Sequence, residues 1–274
     1  MSDLSRRRLL LVGCGKMGGA MLRGWLARGL VARNAVVVEP SPAALGDLAG
    51  RGIIHAGTPD AIAADFAADV VVLAVKPQFM DEAIDHYARF ARPETLILSI
   101  AAGKTIAYFR RHLGADAAVV RAMPNTPAAI GRGISVAVAD GAVAPAQREL
   151  AETLLSACGE VAWVDDEDLL NPVTAVSGGG PAYVFLLMEV LAEAGRKAGL
   201  PAELAMRLAR VTVSGAGELA RLSAESAAEL RQNVTSPKGT TLEAIKVLTA
   251  ADGIQALFDR AIAAAAQRSR ELAR

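Results

Sequence analysis

The sequence is poor in the residues that carry most side-chain chemistry. Its 274 residues hold two cysteines, Cys14 and Cys158, and three histidines. Two thiols cannot build a disulfide framework or a cysteine-only zinc site, and such usage fits a reducing cytosol. His55, His86 and His112 are scattered outside any motif, so no metal constellation is expected. No Gly-x-Ser-x-Gly or Cys–His nucleophile signature occurs. Charge of one sign is missing too: 29 basic side chains meet 29 acidic ones, for a formal net of +0. That leaves no electrostatic footprint for nucleic acid or for polybasic attachment to a membrane. No apolar run reads as long enough to span a bilayer. The basic stretch Met1 to Arg8 leads only into the short run Leu9 to Val12, without a small-residue cleavage site, so no export signal is expected. The expected location is the cytoplasm, and the chemistry must come from a cofactor, from positioning and from hydroxyl groups.

What the sequence has in quantity is apolar residues, 53% of the chain, and roughly a fifth of all residues are alanine. Alanine marks helix propensity and close helix packing as much as oily surface. The length suits about two domains at roughly 100–200 residues each. Short apolar runs at Arg8–Val12, Val36–Glu39, Val70–Val75, Leu96–Ile100, Val119–Ala122, Ile134–Val138 and Val161–Val164 read as strands. Most are separated by alanine-rich stretches that read as helices, the first being Lys16–Arg28. Buried runs alternating with helices imply a mainly parallel sheet covered on both faces. After about Asp166 the strand signal stops. Helical patterns follow from Pro181 to about Ala198, from Pro201 to about Arg221, and over Ile254–Leu272. Ser226 to Glu229 and Thr240 to Glu243 each read as a capping box. The expected organisation is α/β, with a dinucleotide-binding domain over 1–165 and an all-helical domain over 166–274. The helical half carries more apolar faces than it can bury alone, which points to oligomerisation.

Gly13-Cys14-Gly15-Lys16-Met17-Gly18 is a G-x-G-x-x-G lying between a strand and a helix. The first Gly permits a tight turn. The second lets a pyrophosphate approach the backbone, and the third lets helix and strand pack closely. The helix N-terminus supplies N–H groups and positive potential. In that context the loop predicts a Rossmann-type dinucleotide site. Glu39, about 20 residues on, suits a ribose diol and so NADH; Ser41 and Arg33 suit a 2′-phosphate and so NADPH. Lys76-Pro77 leaves the strand Val70–Val75, where ligands of such sheets bind. Met123-Pro124-Asn125-Thr126-Pro127 is a stiff loop in which Asn125 can both donate and accept. Each has a plain turn as its alternative reading.

Ser177-Gly178-Gly179-Gly180-Pro181 runs into the first long helix, as a hinge or a close-packing segment. Val234-Thr235-Ser236-Pro237-Lys238-Gly239-Thr240-Thr241 is a hydroxyl-rich loop entering a helix. Its backbone N–H groups near Gly239 to Thr241 would make a pocket for a carboxylate, alongside a cap from Thr240 to Glu243.

Together, GCGKMGGAM (13–21), LAVKPQ (73–78), RAMPNTPAAIGRG (121–133), AVSGGGPAYVF (175–185) and NVTSPKGTTLEAI (233–245) resemble the pyrroline-5-carboxylate reductases over essentially the whole chain. The resemblance implies NAD(P)H-dependent reduction of 1-pyrroline-5-carboxylate to L-proline, the last step of proline synthesis. It implies a coenzyme domain followed by a helical dimerisation domain, with the active site between the coenzyme domain and helices of the partner, and dimers that often join into decamers. Gly13, Gly15, Met17 and Gly18 would hold the pyrophosphate. Ala74, Val75, Lys76 and Pro77 would border the coenzyme, and Asn125 would lie near the nicotinamide. Val234, Ser236, Gly239, Thr240 and Thr241 would form the substrate loop, with Thr241 directed at the imine nitrogen. Three positions depart from the family pattern. Lys238 stands where the family usually has Gly, and would crowd the loop at positive φ or else attract the substrate carboxylate. Gly179 stands for Ser, and Ala61 for Asn. Two competing readings are another imine or hydroxyacid reductase on this fold and a non-catalytic nucleotide sensor. The Lys-x-x-Asn helix motif of the β-hydroxyacid dehydrogenases is absent after Pro181, and a sensor has no need of the 234–241 loop.

Overall fold

A computed structural model describes residues 3–272. Eight strands form one sheet: β1 Leu9–Val12, β2 Ala35–Val38, β3 Ile54–Ala56, β4 Val70–Leu73, β5 Leu96–Ser99, β6 Ala118–Met123, β7 Gly133–Ala139 and β8 Gly159–Trp163. Their order is β3-β2-β1-β4-β5-β6-β7-β8. Every pairing is parallel except β6 with β7, which the short Pro124–Arg132 connection makes antiparallel. The strand residues of β1, β2, β4 and β5 are buried throughout. Side chains alternate: Leu9 and Leu11 enter the core on one face, Leu10 and Val12 the core on the other. Both faces are covered, which is why these strands read as unbroken apolar runs.

One face carries α1 (Lys16–Ala27) and, later in the chain, α4 (Pro145–Ser156). Trp25 of α1 is fully buried and donates its indole N–H to the Leu154 carbonyl at 2.9 Å. The other face carries α2 (Met80–Ala83), the 3-10 segment Ile84–Phe90 and α3 (Ile106–Leu113), through Met80, Ile84, Phe90 and Phe109.

Two expectations need correction here. The crossovers after β2 and β3 are the 3-10 segments Pro42–Leu48 and Pro59–Ala61, not alanine-rich helices. Gly46, at φ 54° and ψ −126°, interrupts the first segment, and the second is only three residues long; Pro42 and Pro59 stand at their starts, where a missing N–H is tolerated. The strand Ile54–Ala56 was not expected. It is three residues long and exposed at Ile54 and His55, so it has no apolar run to announce it.

The described chain divides into two compact units. One runs to Gly178 and takes in the end of the last helix from Ala265; the other is Gly179–Ala264. In the first, α5 (Leu170–Val173) continues into a π-helical turn, Thr174–Gly178. The second contains α6 (Gly180–Lys197), α7 (Ala202–Leu222), α8 (Ala227–Asn233), α9 (Thr240–Leu248) and the start of α10 (Ile254–Leu272). Helices α6 and α7 meet through small residues: Ala192, Ala205 and Ala209 are buried, and a Cβ on Gly195 would stand 3.5 Å from that of Ala205. The large apolar side chains point elsewhere. Phe185 is 58% exposed and Val211 64%.

That arrangement corrects the expectation about membrane length. The helical stretch Glu167–Lys197 is long and apolar enough to cross a bilayer by length and composition, at a mean hydropathy of 1.4 over its best window. Its three consecutive glycines and Pro181 kept it from reading as one run.

Candidate active site

The sheet reverses direction of growth between β1 and β4, and a crevice opens beyond the carboxyl ends of those strands. The Gly13 N–H donates to the Val38 carbonyl at 2.9 Å, and the Ala74 N–H to that of Val12 at 2.8 Å. The first glycine is thus held between the ends of β2 and β4. It has φ 88°, and a Cβ there would meet the Ala74 carbonyl oxygen at 2.9 Å. Gly18 is excluded from bearing a side chain for another reason: its Cβ would collide with the Gly13 carbonyl. Gly15 differs from both. A Cβ on it would meet nothing within 4 Å, so its missing side chain leaves open space rather than relieving a clash. Gly15 is also the N-cap of α1, extended at φ −68° and ψ −162°, with no side chain capping the helix. The first N–H groups of α1 therefore remain available.

The crevice has a volume of about 600 Å³. Gly13, Gly15, Glu39, Ala74, Val75 and Lys76 all line it, as do Thr58, Phe79, Glu82 and His86. An open glycine, an uncapped helix N-terminus and a cleft of this size fit a dinucleotide. The structure brings those six anticipated residues together. Met17 and Gly18 sit on α1 behind the loop, where Gly18 is buried and Met17 is partly buried against the core. Pro77 opens the 3-10 turn Pro77–Phe79 after the exposed Lys76. Ala61 ends the 3-10 turn at 59–61.

Glu39 is more tightly held than a strand-end acid need be. Its carboxylate accepts the Cys14 N–H at 2.9 Å and the Ser41 N–H at 3.0 Å, while its carbonyl meets His55 Nε2 at 2.8 Å. Beside it, burial pushes the Cys14 thiol up to about 11, helped by the Glu39 charge, so it stays neutral. Arg33 lies in the turn Ala32–Asn34, before β2. The four residues of β2, about 13 Å of strand, separate it from the crevice, so it is not the neighbour of Glu39 that sequence proximity implied. Sequence reasoning passed over His86, which is exposed in a 3-10 segment that buries every third residue and forms no motif. Asn125 has a structural duty: its Oδ1 accepts the Ile134 N–H at 2.9 Å, which ties the MPNTP loop to β7 and leaves only its amide donors free.

The second site is the 234–241 loop of the helical unit. The expected capping box at Thr240 is not formed. Gly239 is the N-cap, extended at φ −81° and ψ 163° and without a side-chain cap, and Thr240 is the first residue of α9. Glu243 pairs instead with Lys246 at 2.7 Å. The other capping box forms as expected, with Ser226 and Glu229 on α8. The Gly239 N–H donates to the Ser236 carbonyl and the Leu242 N–H to that of Gly239, which leaves the Thr240 and Thr241 N–H groups open at the helix start. A side chain on Gly239 would collide with Ser236 Oγ. The Thr235 hydroxyl is spent on the Arg231 carbonyl at 2.6 Å, whereas Thr240 and Thr241 are exposed. Val234, 65% exposed, ends α8. Lys238 has φ 63°, and among the described residues it is the one non-glycine at positive φ. It stands where the glycine of the family pattern would be free of strain.

A parallel sheet with a glycine-loop crevice, joined to helices with unburied apolar faces, defines an oligomeric dinucleotide-dependent oxidoreductase. Comparison with known proteins agrees at both ends. Residues 8–103 match the family described as NADP oxidoreductase coenzyme F420-dependent, and 167–272 match pyrroline-5-carboxylate reductase dimerisation. The chain is 45% identical to a pyrroline-5-carboxylate reductase of Pseudomonas aeruginosa, covering 98% of each. Its fold superposes on that of the Coxiella burnetii pyrroline-5-carboxylate reductase with a TM-score of 0.89, at 36% identity, over 98% of this chain and 99% of that one. The Plasmodium falciparum pyrroline carboxylate reductase, solved with NADP bound, gives a TM-score of 0.84 at 26% identity, over 99% and 100%. The chain belongs to the pyrroline-5-carboxylate reductase family. Its activity is the NAD(P)H-dependent reduction of 1-pyrroline-5-carboxylate to L-proline, and its helical domain is a homo-oligomerisation module.

Proposed function

We propose that the two glycine-capped helix starts divide the work of the reaction, one for each anion. Residues 1–165 form the coenzyme domain and 166–274 the substrate and dimerisation domain. Gly13, Gly15, Met17 and Gly18 hold the coenzyme pyrophosphate; Glu39 and Ser41 border its ribose, Ala74, Val75, Lys76 and Pro77 flank it, and Asn125 offers its amide near the nicotinamide end. Val234, Ser236, Gly239, Thr240 and Thr241 hold the substrate. The observation that carries this reading is shared by the two loops: Gly15 and Gly239 are both extended N-caps without a side-chain cap, each ahead of open N–H groups. Backbone amides at a helix start bind anions without adding to net charge. A chain of net charge +0 can therefore hold both a pyrophosphate and a carboxylate.

When bound, the coenzyme supplies a hydride to the imine carbon. The residues of this chain position the protonated imine rather than attack it. The N–H groups of Thr240 and Thr241 fix the substrate carboxylate. The Thr241 hydroxyl oxygen then accepts a hydrogen bond from the protonated imine nitrogen and holds the ring in line for reduction; the nitrogen becomes neutral as its carbon takes up the hydride. The proton already on nitrogen becomes the N–H of the product amine, so no strong side-chain acid is required. Alignment of this kind is worth several powers of ten in rate.

The oligomer is proposed as a dimer, with decamers built from dimers, in the cytoplasm. Two neutral buried thiols suit that reducing compartment. The test is coenzyme oxidation followed at 340 nm with 1-pyrroline-5-carboxylate. Thr241→Ala is expected to lower kcat at least tenfold while the Kd for coenzyme stays within twofold. Unchanged turnover would remove Thr241 from the mechanism.

A further inference from the structure

The crevice has an unbalanced charge at the end of β2. Glu39 lines it there, and its carboxylate is not a free rotor. One oxygen accepts the N–H of Cys14, inside the glycine loop, and the other accepts the N–H of Ser41, past the strand end. The backbone of Glu39 is fixed as well, because its N–H donates to the Ala56 carbonyl at 3.0 Å and its own carbonyl meets His55. For the carboxylate to swing out of the crevice, two backbone N–H groups would have to lose their acceptors at once. Each carboxylate oxygen has a second lone pair, which suits a ribose hydroxyl donor.

The segment that follows Glu39 supplies no cation to offset that charge. The segment from Pro40 to Leu48 contains no lysine or arginine. Arg23 and Arg51 both pair with Asp47 of that segment, Arg23 Nε at 2.9 Å and Arg51 at 2.7 Å. Arg33 lies beyond the far end of β2. The lysine of the crevice, Lys76, belongs to the end of β4, on the other side of the glycine loop.

We infer that Glu39 sets the coenzyme choice of this chain, and that it selects the unphosphorylated ribose, so that NADH is bound in preference to NADPH. This rests on the placement of the coenzyme in the crevice given above. A 2′-phosphate would bring up to two negative charges against a carboxylate that cannot retreat. An unmodified ribose meets two acceptor lone pairs already aimed by the backbone.

Direct binding tests this without turnover. NADH and NADPH are titrated separately into the full-length protein by calorimetry, at about 0.1 M salt and with no imine present. The expected result is a Kd for NADH at least tenfold below that for NADPH, equivalent to about 1.4 kcal/mol. Glu39→Gln keeps the size of the side chain and removes its charge, and is expected to bring the two values within about threefold. Should that variant fail to fold, Ser41→Arg retains Glu39 and both its N–H donors; it is expected to move the ratio at least fivefold toward NADPH. Equal affinities in the unmodified protein, tighter binding of NADPH, or a ratio untouched by either variant would overturn the inference while leaving the coenzyme site in place. Binding of neither coenzyme would remove the site and the inference together.

Discussion

Substituting alanine at two glycines five ångströms or so apart along one helix turn should separate coenzyme binding from folding. At Gly15 a Cβ meets nothing within 4 Å, and φ is −68°, a value that any residue adopts. Exchanging Gly for Ala at an N-cap costs about 0.5–1 kcal/mol of helix stability. The stiffer unfolded chain returns about 0.4–1 kcal/mol. The two nearly cancel, so Gly15→Ala should leave Tm within about 2 °C of the parent. The added methyl group, however, stands at the start of α1 where the pyrophosphate must come into contact with the backbone. One or two charge-assisted hydrogen bonds lost there, at about 1.5–3 kcal/mol each, weaken coenzyme binding by at least tenfold. Gly18→Ala should behave in the opposite way. Its Cβ collides with the Gly13 carbonyl and lies 3.3 Å from the Ala74 Cβ, so α1 must shift off the sheet. Overpacking of that kind costs about 1–3 kcal/mol, and the midpoint of unfolding falls accordingly. Thermal denaturation and calorimetric titration with NADH read both variants. A Gly15→Ala protein that binds coenzyme like the parent would refute the placement of the pyrophosphate. A Gly18→Ala protein of unchanged stability would refute the account of that packing.

Three further outcomes are expected. Lys238→Gly should raise Tm by about 2–4 °C, since it relieves about 1 kcal/mol net of left-handed strain, whereas Lys238→Ala keeps φ 63° and should not. If the Lys238 ammonium attracts the substrate carboxylate, both variants also raise KM two- to threefold at low salt, an effect that vanishes in about 0.5 M salt. Cys14 and Cys158 are both buried with thiols pushed up to about 11, chiefly by desolvation, so the folded state favours their neutral form. Their contribution to stability is complete below the ordinary thiol pKa of 9.0 and is lost as pH rises toward about 11. At pH 8 neither thiol should react with a disulfide reagent until denaturant is added, and rapid release of one or two equivalents from the native protein would contradict this. Val211→Glu, on the 64%-exposed apolar face of α7, should lower the mass seen by analytical ultracentrifugation without loss of coenzyme binding; an unchanged oligomer would move the interface elsewhere.

How much of this could be read in the residues depends on the kind of force involved. Burial on both faces leaves a continuous apolar run, so β1, β2, β4 and β5 are plain in the sequence, and the strand, glycine loop and helix in that order point to the crevice. Ile54–Ala56 was not legible, because an edge strand three residues long is held by its backbone pairing to β2 and not by its side chains. The substrate loop shows the same limit more usefully. Thr240 and Glu243 have the spacing of a capping box, and local chemistry alone favours that cap. It does not form, because Gly239 takes the N-cap position and shifts the helix start by one residue, which makes Thr240 helical and sends Glu243 to Lys246. That one-residue shift is what keeps the Thr240 and Thr241 groups unspent. A closed capping box would have satisfied the helix start internally, as Ser226 and Glu229 do on α8, and left little for a carboxylate to bind. The strain at Lys238 belongs to the same design: the chain reaches Gly239 only by turning through a left-handed residue, and here a lysine occupies it at a cost of about 1–2 kcal/mol. The misread cap and the strained residue are adjacent because both follow from holding a helix N-terminus open for an anion, and a sequence pattern scored for local stability reads that as an error.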